Sequence, residues 1–417
     1  MHFDGLTDAT LVVFLLVYVA MGFGTLPGFK LDRTGAAIVG ALAMLSIGAI
    51  SPQASWDAID YRTIGMLFGL MVVSSAFAVA GFYDWTVHKV AALPVSPPVL
   101  LAVLIAVGGG LSALLTNDVI VVAMTPLLVS LTLARGLNPV PFLLAFCFAA
   151  NAGSAGTLIG SPQNMIAAQG LGLSFNGFLK VAGLPALLSL PLIWGILAFM
   201  YRNRWAAPKS ADAPPPEEVL QPLDKIETAK AGIIATVVIV AFIFSSWPRE
   251  LIALAGAGTL LISRRTSSKD MLRHVDGNLL LLIMGLFVVN QAFSNTGLPQ
   301  EILAGLDKSG IDLNHPLSLF CVGGVLSNIV GNNPTVMLLT PYLHPGAGAD
   351  ALGAALALST GFSSNMIIFG SLAGIIVVEQ AAACGIKIGF GEFAKAGLPV
   401  SLASLAMAAG WILLMAH

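Results

Sequence analysis

Charge is scarce in this sequence. Asp, Glu, Lys and Arg make up 10% of its 417 residues and hydrophobic residues 57%, where a soluble domain carries roughly 25% charged residues. That balance excludes a soluble catalytic domain, and the formal net charge of -2 gives nucleic acid no basic face to bind. Cysteine is scarce too. Cys147, Cys321 and Cys384 lie far apart in apolar runs, which excludes a disulfide framework or zinc site and makes them small buried hydrophobes by expectation. The six histidines never fall at ligand spacing, so no metal is expected. No phosphate-binding loop and no nucleophile-base-orienter set is present, so neither an enzyme nor a bound cofactor is expected. The N-terminus carries Asp4 and Asp8 but no basic region or small-residue cleavage site, so its first apolar run is expected as a retained helix.

What is plentiful is apolar sequence in runs of about 20 residues, the length needed to cross a bilayer. Spans are expected near 7–23, 34–50, 62–81, 140–172 and 181–201, then near 229–247, 251–263, 275–296, 348–382 and 397–416. Residues 97–135 read instead as two short helices meeting at Thr116-Asn117-Asp118, a re-entrant hairpin, and 315–345 read the same way. Residues 202–228, with Arg202, Arg204, Lys209, Pro214-Pro215-Pro216, Glu217, Glu218 and Asp224, form a solvated linker.

The two halves are copies. Asn117-Asp118 precedes Thr125-Pro126, and Asn332-Asn333 precedes Thr340-Pro341 at the same spacing; residues 69–81 and 285–297 agree at seven of thirteen positions. On this topology Lys and Arg divide 15 to 4 between the two sides, and the rich side is expected to be cytoplasmic. Five crossings per half make the repeats inverted, residues 1–201 and 229–417, and put both termini outside. The expected fold class is an all-α integral membrane protein of two inverted repeats, each with five transmembrane helices, one re-entrant hairpin and a broken helix at the midplane. Such repeats are the mark of secondary transporters, whose site lies where the halves meet.

Within 140–172 the run from Asn151 to Asn164 holds Gly153, Gly156, Gly160 and Pro162, which oppose an uninterrupted helix. The second half has Ser363-Ser364-Asn365 and Gly370-Ser371. Unwinding at Gly153, Gly156, Gly160 and Gly370 would release carbonyls and create new helix N-termini, both suited to a polar solute or cation. Asn117, Asn332, Asn333, Ser161, Gln163, Asn164, Ser371 and Thr157 are the candidate solute contacts. Asp118 is the candidate proton or cation carrier, because a carboxylate at that depth costs about 2.5–3.5 kcal/mol and is kept for a pathway or partner. Its counterpart is Asn333, so only one of the two tips titrates. Glu379 and Asp276 read as interfacial. No Lys, Arg or His falls in the tips or breaks, which favours a neutral hydroxylated solute over a multiply charged anion.

These motifs resemble the ion transporter superfamily, and within it the ArsB/NhaD branch of arsenite permeases and sodium-proton antiporters, over nearly the whole chain. Thr116-Asn117-Asp118 with Thr125-Pro126 is similar to that branch's first hairpin tip, Leu326-Ser327-Asn328 through Asn332-Asn333-Pro334 to the arsenite permease pattern, and Gly160-Ser161-Pro162-Gln163-Asn164 to an element found across the superfamily. Gly331 and Leu372-Ala373 depart from the pattern. The resemblance implies a moving unit made of both hairpins and both breaks, in a multi-pass protein of a bacterial or archaeal cytoplasmic membrane. The resemblance leaves the substrate open; with no Lys, Arg or His in the tips or breaks, it makes export of arsenous or antimonous acid in exchange for protons by alternating access the expected function, with Na+ an alternative coupling ion. Sodium-proton antiport and sodium-coupled dicarboxylate or sulfate carriage are alternatives on the same scaffold. A homodimer and a cytoplasmic ATPase partner are further expectations.

Overall fold

The structure, a computed structural model, describes residues 5–206, 221–344, 346 and 348–415. Both chain termini and residues 207–220, the greater part of the expected linker, lie outside the described residues. The first half runs α1 (Gly5–Phe23), α2 (Arg33–Ser46), α3 (Pro52–Ala58), α4 (Tyr61–Val79), α5 (Phe82–Ala91), α6 (Pro97–Leu114), α7 (Asn117–Ala134), α8 (Pro139–Ser154), α9 (Pro162–Leu171) and α10 (Phe175–Met200). The second repeats the order: α11 (Lys225–Phe244), α12 (Arg249–Leu261), α13 (Ser268–Arg273), α14 (Gly277–Ser294), α15 (Leu298–Lys308), α16 (Pro316–Val330), α17 (Asn332–Leu339), α18 (Ala349–Ser363), α19 (Leu372–Ala383) and α20 (Phe390–Met415).

Among the described residues, eight helices are long and apolar enough to cross a membrane. Two expectations are revised. The legs of the first hairpin, α6 and α7, are 18 residues each and not short, and α2 reaches only 14 residues where a span over 34–50 is expected. Helix α2 stops early because Gly48, at φ +76°, turns the chain away after Ser46. The short helices α3, α5, α13 and α15 escape hydropathy reading altogether, being too short and too polar to register as spans.

The core explains itself from composition. Helix α8 is apolar all round, and all 16 of its residues are buried, as a helix without a polar face must be. It packs against α6 at a point where Gly153 faces Gly109: a Cβ on Gly153 would stand 2.2 Å from the Gly109 carbonyl oxygen. Gly153→Ala is therefore expected to destabilise the protein by about 1–3 kcal/mol through overpacking, read as a lowered melting temperature in detergent. Outward faces are apolar instead, with Leu187, Phe199, Ile233, Phe244 and Leu414 exposed, a surface suited to lipid.

The halves interlock reciprocally. Helix α4 crosses α12 where a Cβ on Gly69 would stand 2.6 Å from the Ala253 carbonyl carbon, and α14 crosses α2 where one on Gly285 would stand 2.8 Å from that of Ala37. Gly69 and Gly285 are equivalent in the duplication, and the same offset relates Ala37 to Ala253. Each half thus lends one small-residue crossing to the other, the close approach that membrane helices use. In the same way α7 packs on α19, and α17 on α9.

Candidate functional site

Each hairpin tip is a break in a helix whose unpaired backbone needs partners. At the first tip the Thr116 amide and hydroxyl both lie 2.9 Å from Ser74 Oγ on α4, and the Asn117 amide donates to the Gly160 carbonyl at 3.1 Å. The tip of hairpin one is thereby tied to the break before α9. At the second tip a single residue, Gly331 at φ +91° and ψ 166°, connects α16 to α17. That backbone region is open almost only to glycine, which accounts for a glycine at this position. Asn332 fastens this tip: its Oδ1 accepts from the hydroxyls of Ser327 and Ser364, and its Nδ2 lies 2.7 Å from Ser364 Oγ.

Tips and breaks enclose a cavity of about 550 Å³. Asn117 and Asp118, Asn332 and Asn333, Gln163 at the start of α9 and Ser371 at the start of α19 all line it. Asn151 joins them from α8, donating to Asn365 Oδ1 at 2.9 Å and to Ser371 Oγ at 3.0 Å. Ser371 Oγ also accepts from the Gly374 amide, so its own hydrogen is free to donate. Asp118 Oδ2, Asn117 Oδ1 and Asn333 Oδ1 are buried without a partner. Three acceptor oxygens from two tips therefore await a donor or a cation.

Three expected solute contacts stand elsewhere. Asn164 Nδ2 donates to the carbonyls of Ser154 at 2.9 Å and Thr157 at 2.7 Å, and Thr157 donates its hydroxyl to the Ala113 carbonyl at 2.6 Å. Ser161 Oγ is buried and unpartnered but does not line the cavity. Asn164 and Thr157 serve the break itself, supplying donors and anchorage where the helix ladder stops. The glycines divide. Gly156 and Gly160 lie in the non-helical stretch between α8 and α9, and Gly370 closes a 3-10 turn before α19, whereas Gly153 sits inside α8, against expectation. Close approaches also require small residues here: a Cβ on Gly160 would stand 2.6 Å from Ser154 Cα, and one on Gly156 2.7 Å from Ala186 Cβ. Among the cysteines, Cys147 is buried as expected, but Cys321 is exposed and Cys384 half-buried.

Sequence reading missed part of the cavity wall. Asp32 and Arg33, from the turn between α1 and α2, line the cavity, as do Asp276 and Asn278 at the start of α14 and Glu379 on α19. Asp276 and Glu379 thus border the site instead of lying apart from it. Asp276 caps α14, accepting from the Leu279 amide at 3.0 Å, and Asp60 caps α4 through the Arg62 amide at 3.1 Å; this repeated aspartate was the one signal in the sequence. Arg33 Nε donates to the Met21 carbonyl at 2.9 Å, leaving a buried guanidinium nitrogen unpartnered. The lining therefore carries four carboxylates, Asp32, Asp118, Asp276 and Glu379, against one arginine.

A profile of the CitMHS family, described as citrate transporter, matches residues 16–361. The chain belongs to the CitMHS family. Relatives of this CitMHS chain align along most of its length. An uncharacterized transporter of Mycobacterium tuberculosis is 29% identical over 96% of this chain and 98% of its own. A putative transporter named arsB from Dictyostelium discoideum is 23% identical over 89% and 85%, and the silicon efflux transporter LSI3 of Oryza sativa subsp. japonica is 26% identical over 89% and 89%. The solved YdaH transporter of Alcanivorax borkumensis has the same fold, with a TM-score of 0.57 at 15% identity over 98% of both chains. Family and relatives agree with the ArsB/NhaD resemblance carried by the hairpin motifs. This CitMHS protein is a multi-pass membrane transporter and not an enzyme.

Proposed function

We propose that this protein exports small neutral hydroxylated solutes, arsenous and antimonous acid with silicic acid beside them, in exchange for protons by alternating access. The observation that carries this reading is the cavity lining. Amides and hydroxyls from Asn117, Asn333, Gln163, Asn151 and Ser371 supply donors and acceptors together. Four carboxylates against one arginine disfavour a multiply charged anion such as citrate. The names of two relatives, a silicon efflux transporter and an arsB transporter, support the same solute class. On the Lys and Arg distribution, the mouth bordered by Asp32, Arg33 and Glu379 faces the cytoplasm.

Asp118 is the proton carrier in this reading, Asn117, Asn333, Gln163 and Ser371 contact the solute, and Asn332 positions the second tip. Citrate carriage is the second reading, favoured by the family description and by the unpartnered guanidinium nitrogen of Arg33. Everted vesicles under an imposed proton gradient, offered arsenous acid, silicic acid, citrate and Na+ in turn, separate the two. Accumulation of the neutral acids with no response to citrate is expected. Citrate-driven flux abolished by Arg33→Gln would establish the second reading in its place, and proton-linked Na+ flux alone would make the protein a sodium-proton antiporter.

A further inference from the structure

A second cavity, about 210 Å³ in volume, lies at the other end of the same helices. Helix α9 lines the first cavity with Gln163 and the second with Ile166. Helix α14 does so with Leu282 and Phe287, and α17 with Pro334 and Met337. At 1.5 Å of rise per residue, the intervening layer is about 4.5–7.5 Å thick. It is closed by Met165, Ile283, Leu286 and Val336, all fully buried.

The second cavity is polar where it needs a reason to be. Asn290 Oδ1 accepts from the Tyr18 hydroxyl at 2.9 Å, which fixes the carboxamide and leaves its Nδ2 buried without a partner. The Thr340 hydroxyl is likewise buried and unpartnered. Both residues line the cavity and are 9% and 6% exposed. The duplication shows that neither arrangement is required by the fold. Thr125, the equivalent of Thr340, returns its hydroxyl to the Val121 carbonyl at 2.7 Å within an unbroken helix, whereas α17 ends at Leu339 and tightens into a 3-10 turn over Thr340–Tyr342. Ser74, the equivalent of Asn290, is taken up by Thr116. Burying two such groups unpaired costs free energy unless something occupies the space and bonds them.

We infer that this cavity is a second station for the solute, on the far side of the barrier, read by the Asn290 amide and the Thr340 hydroxyl. The inference rests on the neutral-solute reading above. The space holds a hydroxylated acid of arsenous or silicic size, and a donor amide beside a hydroxyl suits its oxygens. Asp60 and Thr63 at the rim are already bonded to each other, so they add polarity without claiming the solute.

The test is arsenous acid exchange measured from each face, in everted and in right-side-out vesicles. Thr340→Val keeps the shape and removes the hydroxyl. It is expected to raise the KM on the far face about fivefold, the factor one net hydrogen bond carries, and to leave the KM on the cytoplasmic face within about twofold. Thr340→Ser restores the far-face value. A merely structural role would move both faces together or neither, and either result removes the station. If the intact protein exchanges no arsenous acid from either face, the solute assignment falls and the station with it; intact exchange with a symmetric Thr340→Val removes the station alone.

Discussion

Asp118→Asn is expected to abolish gradient-driven accumulation of arsenous acid while the protein stays folded and still exchanges solute across the membrane. The substitution is isosteric and costs Asp118 Oδ2 no bond, since that oxygen is buried and unpartnered in the first hairpin tip. It removes a charge whose burial costs about 2.5–3.5 kcal/mol at membrane depth, so thermal stability holds or rises. The duplication has already made the same change at Asn333, the equivalent tip residue. Loss of accumulation with exchange retained would identify Asp118 as the coupling group. A fall in melting temperature with loss of both activities would make it a structural residue of the tip.

The second large effect belongs to Gly331. At φ +91° and ψ 166° its backbone lies where a side chain is strained by about 1–3 kcal/mol. A Cβ there would meet only Pro334 Cδ, at 3.8 Å. Gly331→Ala is therefore expected to act through conformation and not through crowding. The strain falls on the single residue between α16 and α17, so Asn332 and Asn333 shift, and the bonds from Asn332 to Ser327 and Ser364 weaken. Transport should fall about tenfold, the factor for 1.4 kcal/mol of lost positioning. Gly110→Ala is the control: it lies in α6 with nothing within 4 Å of a Cβ and should leave stability unchanged or raised. A transport loss of equal size in both variants would refute the conformational argument.

The repeat was legible because each half had to interrupt apolar sequence at matching places, and polar residues among apolar ones are conspicuous. The tips Asn117-Asp118 and Asn332-Asn333 line one cavity with Gln163 and Ser371. Roles inside the breaks were not legible. Asn164 and Thr157 have the chemistry of solute ligands, yet the carbonyls freed by the break claim them. The same amides and hydroxyls serve both tasks, and only geometry separates them. Glycine is ambiguous in a similar way, since Gly153 allows a helix crossing and Gly331 allows a turn. Asp32 and Arg33 stand at the start of α2, whose approach to the site depends on how α2 packs on α14, a long-range contact without a local pattern. Asn332, expected as a ligand, borders the cavity, but its amide is committed to Ser327 and Ser364.

Asymmetry between the halves carries the remaining information. Hairpin one has two helices of 18 residues, and hairpin two pairs 15 with 8. The shorter leg leaves Thr340 outside a regular helix, and the single-residue turn at Gly331 brings Asn333 to the cavity without a carboxylate. One hairpin tip therefore holds a titratable group, and the other hairpin leaves polar groups open at both ends of α17.

The most direct test of proton-coupled export of a neutral acid is the uptake of arsenous acid into everted vesicles, with and without an imposed proton gradient, by the intact protein. Accumulation that rises with the gradient and collapses when a protonophore is added is the predicted result; gradient-independent equilibration, or accumulation of citrate in place of arsenous acid, would contradict it.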